Sequence, residues 1–273
     1  MIKLYYMKGG NNFGDILSKD IVAKVSGQDV VHAKAYRADI ISTGSLLGKV
    51  QNTKLRRAFF RMLKPTYVWG TGIISDGGSV SKNNLVICAL RGRLSFGRFD
   101  LNSDVALGDP ALLCSKLFPY KKDKKAGKFL VTPHLHDKEC EAWIDRIEKL
   151  LGEEVEVCNL SQDVDYILEK IANAKGVITS AMHPLIVAHS YRTPVVWVDV
   201  GSVVILGGNY KFEDYYSVLD IPLQKITKDD LLEGMVSKEN IEDQLEKSYV
   251  GLERLRSLQD GLIASFPDSL RKK

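Results

Sequence analysis

The feature that most constrains this chain is its rhythm: short apolar runs, each ending in a polar or glycine-bearing turn, alternate with helical patterns from the first residues onward. Strands buried on both faces read as continuous apolar runs, and parallel neighbours need long crossovers that are usually helical, so the rhythm predicts parallel sheets. The expected strands of the first half are 3–7, 40–43, 67–70 and 85–90, and those of the second half are 128–132, 154–158, 176–179 and 194–198. A further short strand is expected near 217–219. Helices are expected at 15–25, where Ile16, Leu17, Ile21, Val22 and Val25 share a face, and at 139–151, 164–174 and 183–191. Another starts at Asp109-Pro110, a carboxylate N-cap followed by proline. A long charged helix is expected over 238–263.

At 273 residues the chain exceeds the usual size of one domain, roughly 100–200 residues. The lysine-rich stretch 121–128 divides it into an N-terminal α/β lobe, 1–120, and a C-terminal α/β lobe, 121–273, which carries the long helix. Two Rossmann-like lobes in a GT-B-like arrangement would bind a ligand between the carboxyl ends of their strands. A single Rossmann-like domain with a long extension is the alternative.

Composition excludes several classes. No apolar run approaches the ~18 residues of a membrane-spanning helix, and residues 1–7 read as a strand rather than a secretory signal, so a cytoplasmic protein is expected. Cys88, Cys114, Cys140 and Cys158 lie far apart and form no C-x-x-C pair, so neither a disulfide nor a zinc site is expected. The formal charge of +4 is dispersed, which does not point to nucleic acid. One basic helical pattern, 54–64, sets Leu55, Phe59, Met62 and Leu63 opposite Arg56, Arg57 and Arg61. It is either a half-buried helix with a solvated face or a surface that meets anionic lipid at the inner membrane face.

Residues able to carry chemistry gather after strands. Gly9-Gly10-Asn11-Asn12-Phe13-Gly14-Asp15 stands where the first strand turns into the first helix, where N–H groups favour an anion. It lacks the spacing of a dinucleotide fingerprint and the lysine of a P-loop. Asp15 is either a helix cap or a base. Thr43-Gly44-Ser45 and Gly70-Thr71-Gly72 make two more small-residue turns, expected to leave a floor on which a ligand lies. Arg91, Arg93 and Ser95 follow another strand, and a guanidinium matches carboxylate or phosphate. In the second half, His134 follows one strand, and Ser180, Met182 and His183 follow another. His183 lies at a strand-to-helix junction suited to binding an anion or donating a proton. His136 and His189 are expected to be bystanders.

Taken in order, these motifs resemble the polysaccharide pyruvyl transferase family. The matching pieces are Asn12-Phe13-Gly14-Asp15, Gly44-Ser45, Gly70-Thr71-Gly72, Arg91 through Ser95, Gly108-Asp109-Pro110-Ala111, Pro133-His134 and Ala181-Met182-His183 through Ala188. The Phe212-Glu213-Asp214-Tyr215-Tyr216 stretch resembles the ketal-forming branch. The resemblance implies an enzyme that moves pyruvate from phosphoenolpyruvate onto a sugar of a capsular or exopolysaccharide precursor, with no cofactor. Its acceptor would be a lipid-linked or soluble saccharide. Arg91 and His134 would grip the donor, His183 would protonate its methylene carbon, and Asp15 or a neighbouring group would receive the hydroxyl proton. The chain departs from many members at Ala181, where they carry arginine. That departure motivates another reading, a catalytically silent polysaccharide-assembly protein, and a GT-B glycosyltransferase using a nucleotide sugar is a separate alternative.

Overall fold

Two parallel sheets account for every strand among the described residues of the computed structural model, which are 1–7, 12–48, 64–76, 84–101, 105–120, 127–201 and 207–272. The first contains β1 (Ile2–Tyr5), β2 (Val30–His32), β3 (Ile40–Ser42), β4 (Thr66–Trp69), β5 (Leu85–Leu90) and β6 (Ala106–Leu107) in the order β2-β1-β3-β4-β5-β6. The second contains β7 (Phe129–Thr132), β8 (Val155–Val157), β9 (Gly176–Thr179), β10 (Val195–Asp199) and β11 (Lys225–Thr227) in the order β11-β10-β9-β7-β8. Every neighbouring pair is parallel. The central strands β7 and β9 are buried at every residue, which is why they read as unbroken apolar runs. The two-lobed α/β class expected from the rhythm is the fold observed.

The α-helices among the described residues are α1 (Phe13–Ser26), α2 (Arg93–Phe96), α3 (Cys114–Leu117), α4 (Cys140–Leu151), α5 (Val164–Asn173), α6 (Met182–Tyr191), α7 (Tyr210–Tyr216), α8 (Lys228–Leu232), α9 (Lys238–Lys247) and α10 (Leu252–Ala264). Helix α1 starts at Asn12, whose side chain accepts from the Gly14 N–H, and stops at Gly27 in the left-handed conformation. Helices α4 and α5 are amphipathic and each buries one stripe against the second sheet. Helix α6 is different: all its residues except His183 are buried. It is wedged between the lobes, with the Ser190 hydroxyl donating to the Leu112 carbonyl at 2.7 Å and Tyr191 donating to the Phe118 carbonyl at 2.7 Å. One apolar cluster runs from Leu4, Leu17 and Trp69 through Leu112 to Leu185 and Trp197, so the lobes share a core.

The structure corrects several expectations. The long C-terminal helix is two helices, α9 and α10, because Ser248 turns its hydroxyl onto the Leu245 carbonyl and accepts from the Val195 N–H at 2.8 Å, and Gly251 then opens a new helix. Helix α10 leaves the second lobe and completes the first. Leu262 accepts from Trp69 Nε1 at 2.9 Å, Gln259 donates to the Leu112 carbonyl at 2.7 Å, and Trp69 meets Phe266 edge-on at 4.9 Å. The expected assignment of 121–273 to one lobe therefore fails for these last residues. The 217–219 segment is the turn after α7, and the edge strand is β11 instead. The helix at Asp109 has the expected cap but is a single 3-10 turn followed by α3. The four cysteines are free, with Cys114 and Cys158 buried and Cys88 and Cys140 half-buried. No helix among the described residues is long and apolar enough to cross a membrane. The basic pattern at 54–63, the lysine-rich 121–125, and Gly9, Gly10 and Asn11 lie outside the described residues.

Candidate functional site

In a parallel sheet a crevice opens where the strand order reverses, because the connections from adjacent strands leave in opposite directions. The first sheet reverses between β1 and β3 and the second between β7 and β9. The turns after these four strands face one another around a cavity of about 300 Å³. Asn12, Gly14 and Asp15 come from the turn after β1, Gly44 and Ser45 from that after β3, His134 and His136 from that after β7, and Met182 and His183 from that after β9.

His183 is the centre of the arrangement. It occupies the first turn of α6, whose N-cap, Ala181, supplies no side-chain cap. Its ring reaches across to the first lobe and fills the space above Gly14: a Cβ there would lie 2.0 Å from His183 Nδ1. A Cβ on Gly44 would come within 3.9 Å of the same ring. Nε2 is buried and has no hydrogen-bond partner among the described residues. A buried ring nitrogen without a partner costs free energy unless a ligand supplies one. Burial first, and then the charges of Lys211, Arg91 and His134, pull His183 down to about 4. His134, whose Nδ1 accepts from the His136 N–H at 3.2 Å, is likewise lowered to about 4 by burial and by Lys211 and His136. Both rings are neutral at pH 7.

Asp15 is not the helix cap; Asn12 is. Asp15 sits in the first turn of α1, accepts from the Met7 N–H at 3.1 Å and faces the cavity. Ser45 receives a hydrogen bond from Arg91 at 2.5 Å. Asp109, pushed up to about 6 by burial, accepts from the Gly44 and Ala111 N–H groups and so fixes the Gly44 turn.

Arg91 does not reach the cavity. It is 0% exposed, and its fork is consumed by protein groups: Nε to Asp214 at 2.9 Å, Nη1 to Ser45 and to the Gly44 carbonyl, and Nη2 to the Ile73 carbonyl at 2.6 Å. Asp214 lies on α7 in the second lobe and also accepts from the Ser95 N–H and hydroxyl at 2.7 and 2.6 Å. Arg91 and Ser95, expected to hold substrate, therefore form a buried clasp between the lobes. Arg93 is exposed and bound to Ser217 through its N–H and Nε, away from the cavity. Ser180 is buried behind it, its hydroxyl accepting from the His134 N–H at 2.8 Å.

The glycine floor is also explained differently. A Cβ on Gly72 would meet the Arg91 guanidinium at 2.5 Å, one on Gly70 would meet Pro110 at 2.2 Å, and one on Gly92 would collide with the Asp214 backbone. These glycines admit protein groups rather than a ligand, and Gly72 is not at the cavity. The sequence reading missed Lys211 on α7, which lines the cavity, is 8% exposed and is lowered to about 8 by burial and by Arg91. The signal that could have found it is a lysine among Tyr210, Phe212, Tyr215 and Tyr216, where aromatic neighbours announce burial.

Two parallel sheets with their switch points on a shared cavity, lined by Asp15, Lys211 and three histidines, define a two-lobed α/β protein with an interlobe cavity. The polysaccharide pyruvyl transferase family model matches residues 4–202, and the chain belongs to that family. It is similar to the uncharacterized protein L143 of Acanthamoeba polyphaga mimivirus, 27% identical over 133 residues, which are 46% of this chain and 44% of that protein. The match thus spans less than half the length of that relative. Among solved structures it is similar to CalG4, the calicheamicin glycosyltransferase, at 11% identity and a TM-score of 0.49, covering 97% of this chain and 95% of that one. It is also similar to the Escherichia coli ADP-heptose lipopolysaccharide heptosyltransferase II, at 10% identity and a TM-score of 0.40, covering 94% and 99% of the two chains. The fold class rests on the strand order itself.

Proposed function

We propose that the protein transfers pyruvate from phosphoenolpyruvate to a saccharide and closes a ketal across two of its hydroxyls. The observation that carries this reading, beside family membership, is the His183 ring: held between the two lobes, it lines the cavity, and its Nε2 is buried and unpartnered among the described residues. Nitrogen so placed serves proton transfer to a ligand carbon or hydrogen bonding to a ligand anion. Burial first, and then the neighbouring cations, keep His183 neutral; an anionic donor in the cavity offsets those cations, so the ring acquires its proton as the donor enters. His183 then protonates the methylene carbon, leaving a methyl group and a cationic centre at the adjacent carbon. A saccharide hydroxyl adds to that centre and its proton passes to Asp15. A second hydroxyl displaces phosphate from the same carbon, and its proton leaves with the phosphate.

The first-lobe wall, with Asn12, Asp15 and Ser45, suits the hydroxyl-rich acceptor, while the second-lobe wall suits the donor. The acceptor is a capsular or exopolysaccharide precursor, lipid-linked or soluble, met in the cytoplasm or at the inner membrane face. The test is thermal unfolding of wild type and His183→Ala with phosphoenolpyruvate, pyruvate, UDP and GDP. A stabilisation specific to phosphoenolpyruvate and reduced in the variant is expected. Stabilisation by a nucleotide alone would replace the reading with a nucleotide-sugar glycosyltransferase.

A further inference from the structure

The cavity wall carries a buried cation that has no ion pair among the described residues. Lys211 projects from α7, is 8% exposed, and has neither an ion pair nor a hydrogen bond among the described residues; its ammonium lies 5.3 Å from the centre of the adjacent Phe212 ring. The carboxylate one turn along the same helix, Asp214, is already bound by Arg91 and Ser95. Glu213 faces solvent. The charged or titratable groups coupled to Lys211 are basic, Arg91, His134 and His183; of the others at the cavity, His136 is on the second-lobe side and the carboxylate of Asp15 is on the first-lobe wall, bound by the Met7 N–H. Buried lysines are almost always paired, because an isolated ammonium loses its hydration without compensation. An unpaired one at a cavity wall, beside a histidine whose Nε2 is also unpartnered, marks the place of a missing anion.

We infer that Lys211 binds the anionic group of the ligand in this cavity, a phosphate or a carboxylate, with His134 and His183 as its hydrogen-bonding neighbours. The inference rests on the cavity being the donor site. It assigns to Lys211 the part that sequence reasoning gave to Arg91. The clasp explains how a flexible lysine is held there: Asp214, bound to Arg91 and Ser95, fixes α7 one turn from Lys211. Lysine acts as a point charge without a planar fork, so the site tolerates an anion in more than one orientation.

The test is calorimetric titration of the full chain, as wild type, Lys211→Met and Lys211→Arg, with phosphoenolpyruvate, inorganic phosphate, pyruvate and UDP, alongside thermal unfolding without ligand. Removing an uncompensated buried charge should raise the unliganded melting temperature of Lys211→Met, while affinity for phosphoenolpyruvate falls roughly tenfold or more. Lys211→Arg should recover part of that affinity. Parallel loss of inorganic phosphate binding assigns the contact to the phosphate, and parallel loss of pyruvate binding assigns it to the carboxylate. Wild-type affinity in Lys211→Met overturns the role of Lys211 and leaves the donor reading standing. If wild type ignores phosphoenolpyruvate but binds phosphate or UDP in a Lys211-dependent way, the donor reading falls and Lys211 stands. Wild type that binds none of these anions overturns both.

Discussion

Replacing Gly14 with alanine isolates the geometry of His183 from its chemistry. Gly14 lies in the first turn of α1 and its φ is not positive, so alanine fits the backbone and slightly favours the helix, by at most ~1 kcal/mol. The new methyl carbon would stand 2.0 Å from His183 Nδ1 and 2.3 Å from its Cε1, where ordinary contact begins at 3.4 Å. The ring must therefore retreat by more than about 1 Å, and a displacement of that size at a reacting group costs roughly 10²-fold in rate. The assay is phosphate release from phosphoenolpyruvate in the presence of acceptor, with chemical unfolding as the check on the fold. Gly48→Ala, where a Cβ meets nothing within 4 Å among the described residues, is the control. Turnover should fall about 10²-fold in Gly14→Ala with stability changed by less than ~1 kcal/mol. A variant that keeps near-normal turnover would refute the placement of His183, and one that loses several kcal/mol of stability would show that the helix moves instead of the ring.

Other consequences can be checked in the same assays. Asp214→Asn leaves the wholly buried Arg91 without its charge partner and should destabilise the protein by about 3–5 kcal/mol in urea denaturation; a loss under ~1 kcal/mol would contradict a buried clasp. His134 and His183 are each lowered from 6.5 to about 4, so between those values the unfolded chain binds more protons than the folded one. Stability should therefore drop as pH falls from 6.5 to 4, by up to roughly 3 kcal/mol per histidine, and the drop should shrink in His134→Ala and His183→Ala. Lys211, lowered from 10.5 to about 8, penalises the folded state below pH 8 and is relieved as pH rises toward 10.5. Across that same rise, anion affinity should weaken as the ammonium is lost, which a titration series from pH 7 to 9.5 would follow.

The fold was legible wherever burial was two-sided. The runs that became β7, β9 and β10 are apolar because both faces are covered. The edges were harder: β2 is three residues with one fully buried side chain, and β11 places a single buried isoleucine between lysine and threonine. Charge spacing carried straight through 248–251 and hid the break that Ser248 and Gly251 impose. At the site, positions after strands identified His134, His183 and the Asn12 to Asp15 turn, because the sheet topology alone brings those turns together. What a guanidinium touches is not a local property. The partner that removes Arg91 from the cavity is Asp214, 123 residues later, and the helix carrying that partner also carries Lys211.

The return of α10 to the first sheet has a consequence for how the chain matures. The first lobe is complete only when residues 252–270 cover Trp69, close on Leu112 and reach Gln28. During synthesis at ~5–20 residues per second, Trp69 is made well before Leu262, and the gap corresponds to roughly ten to forty seconds. Over that interval an apolar sheet face stands without its cover while the second lobe is assembled. The lobe translated first is thus the one finished last, and a chain that stops between α9 and α10 carries every strand of both sheets but lacks the cover of the first.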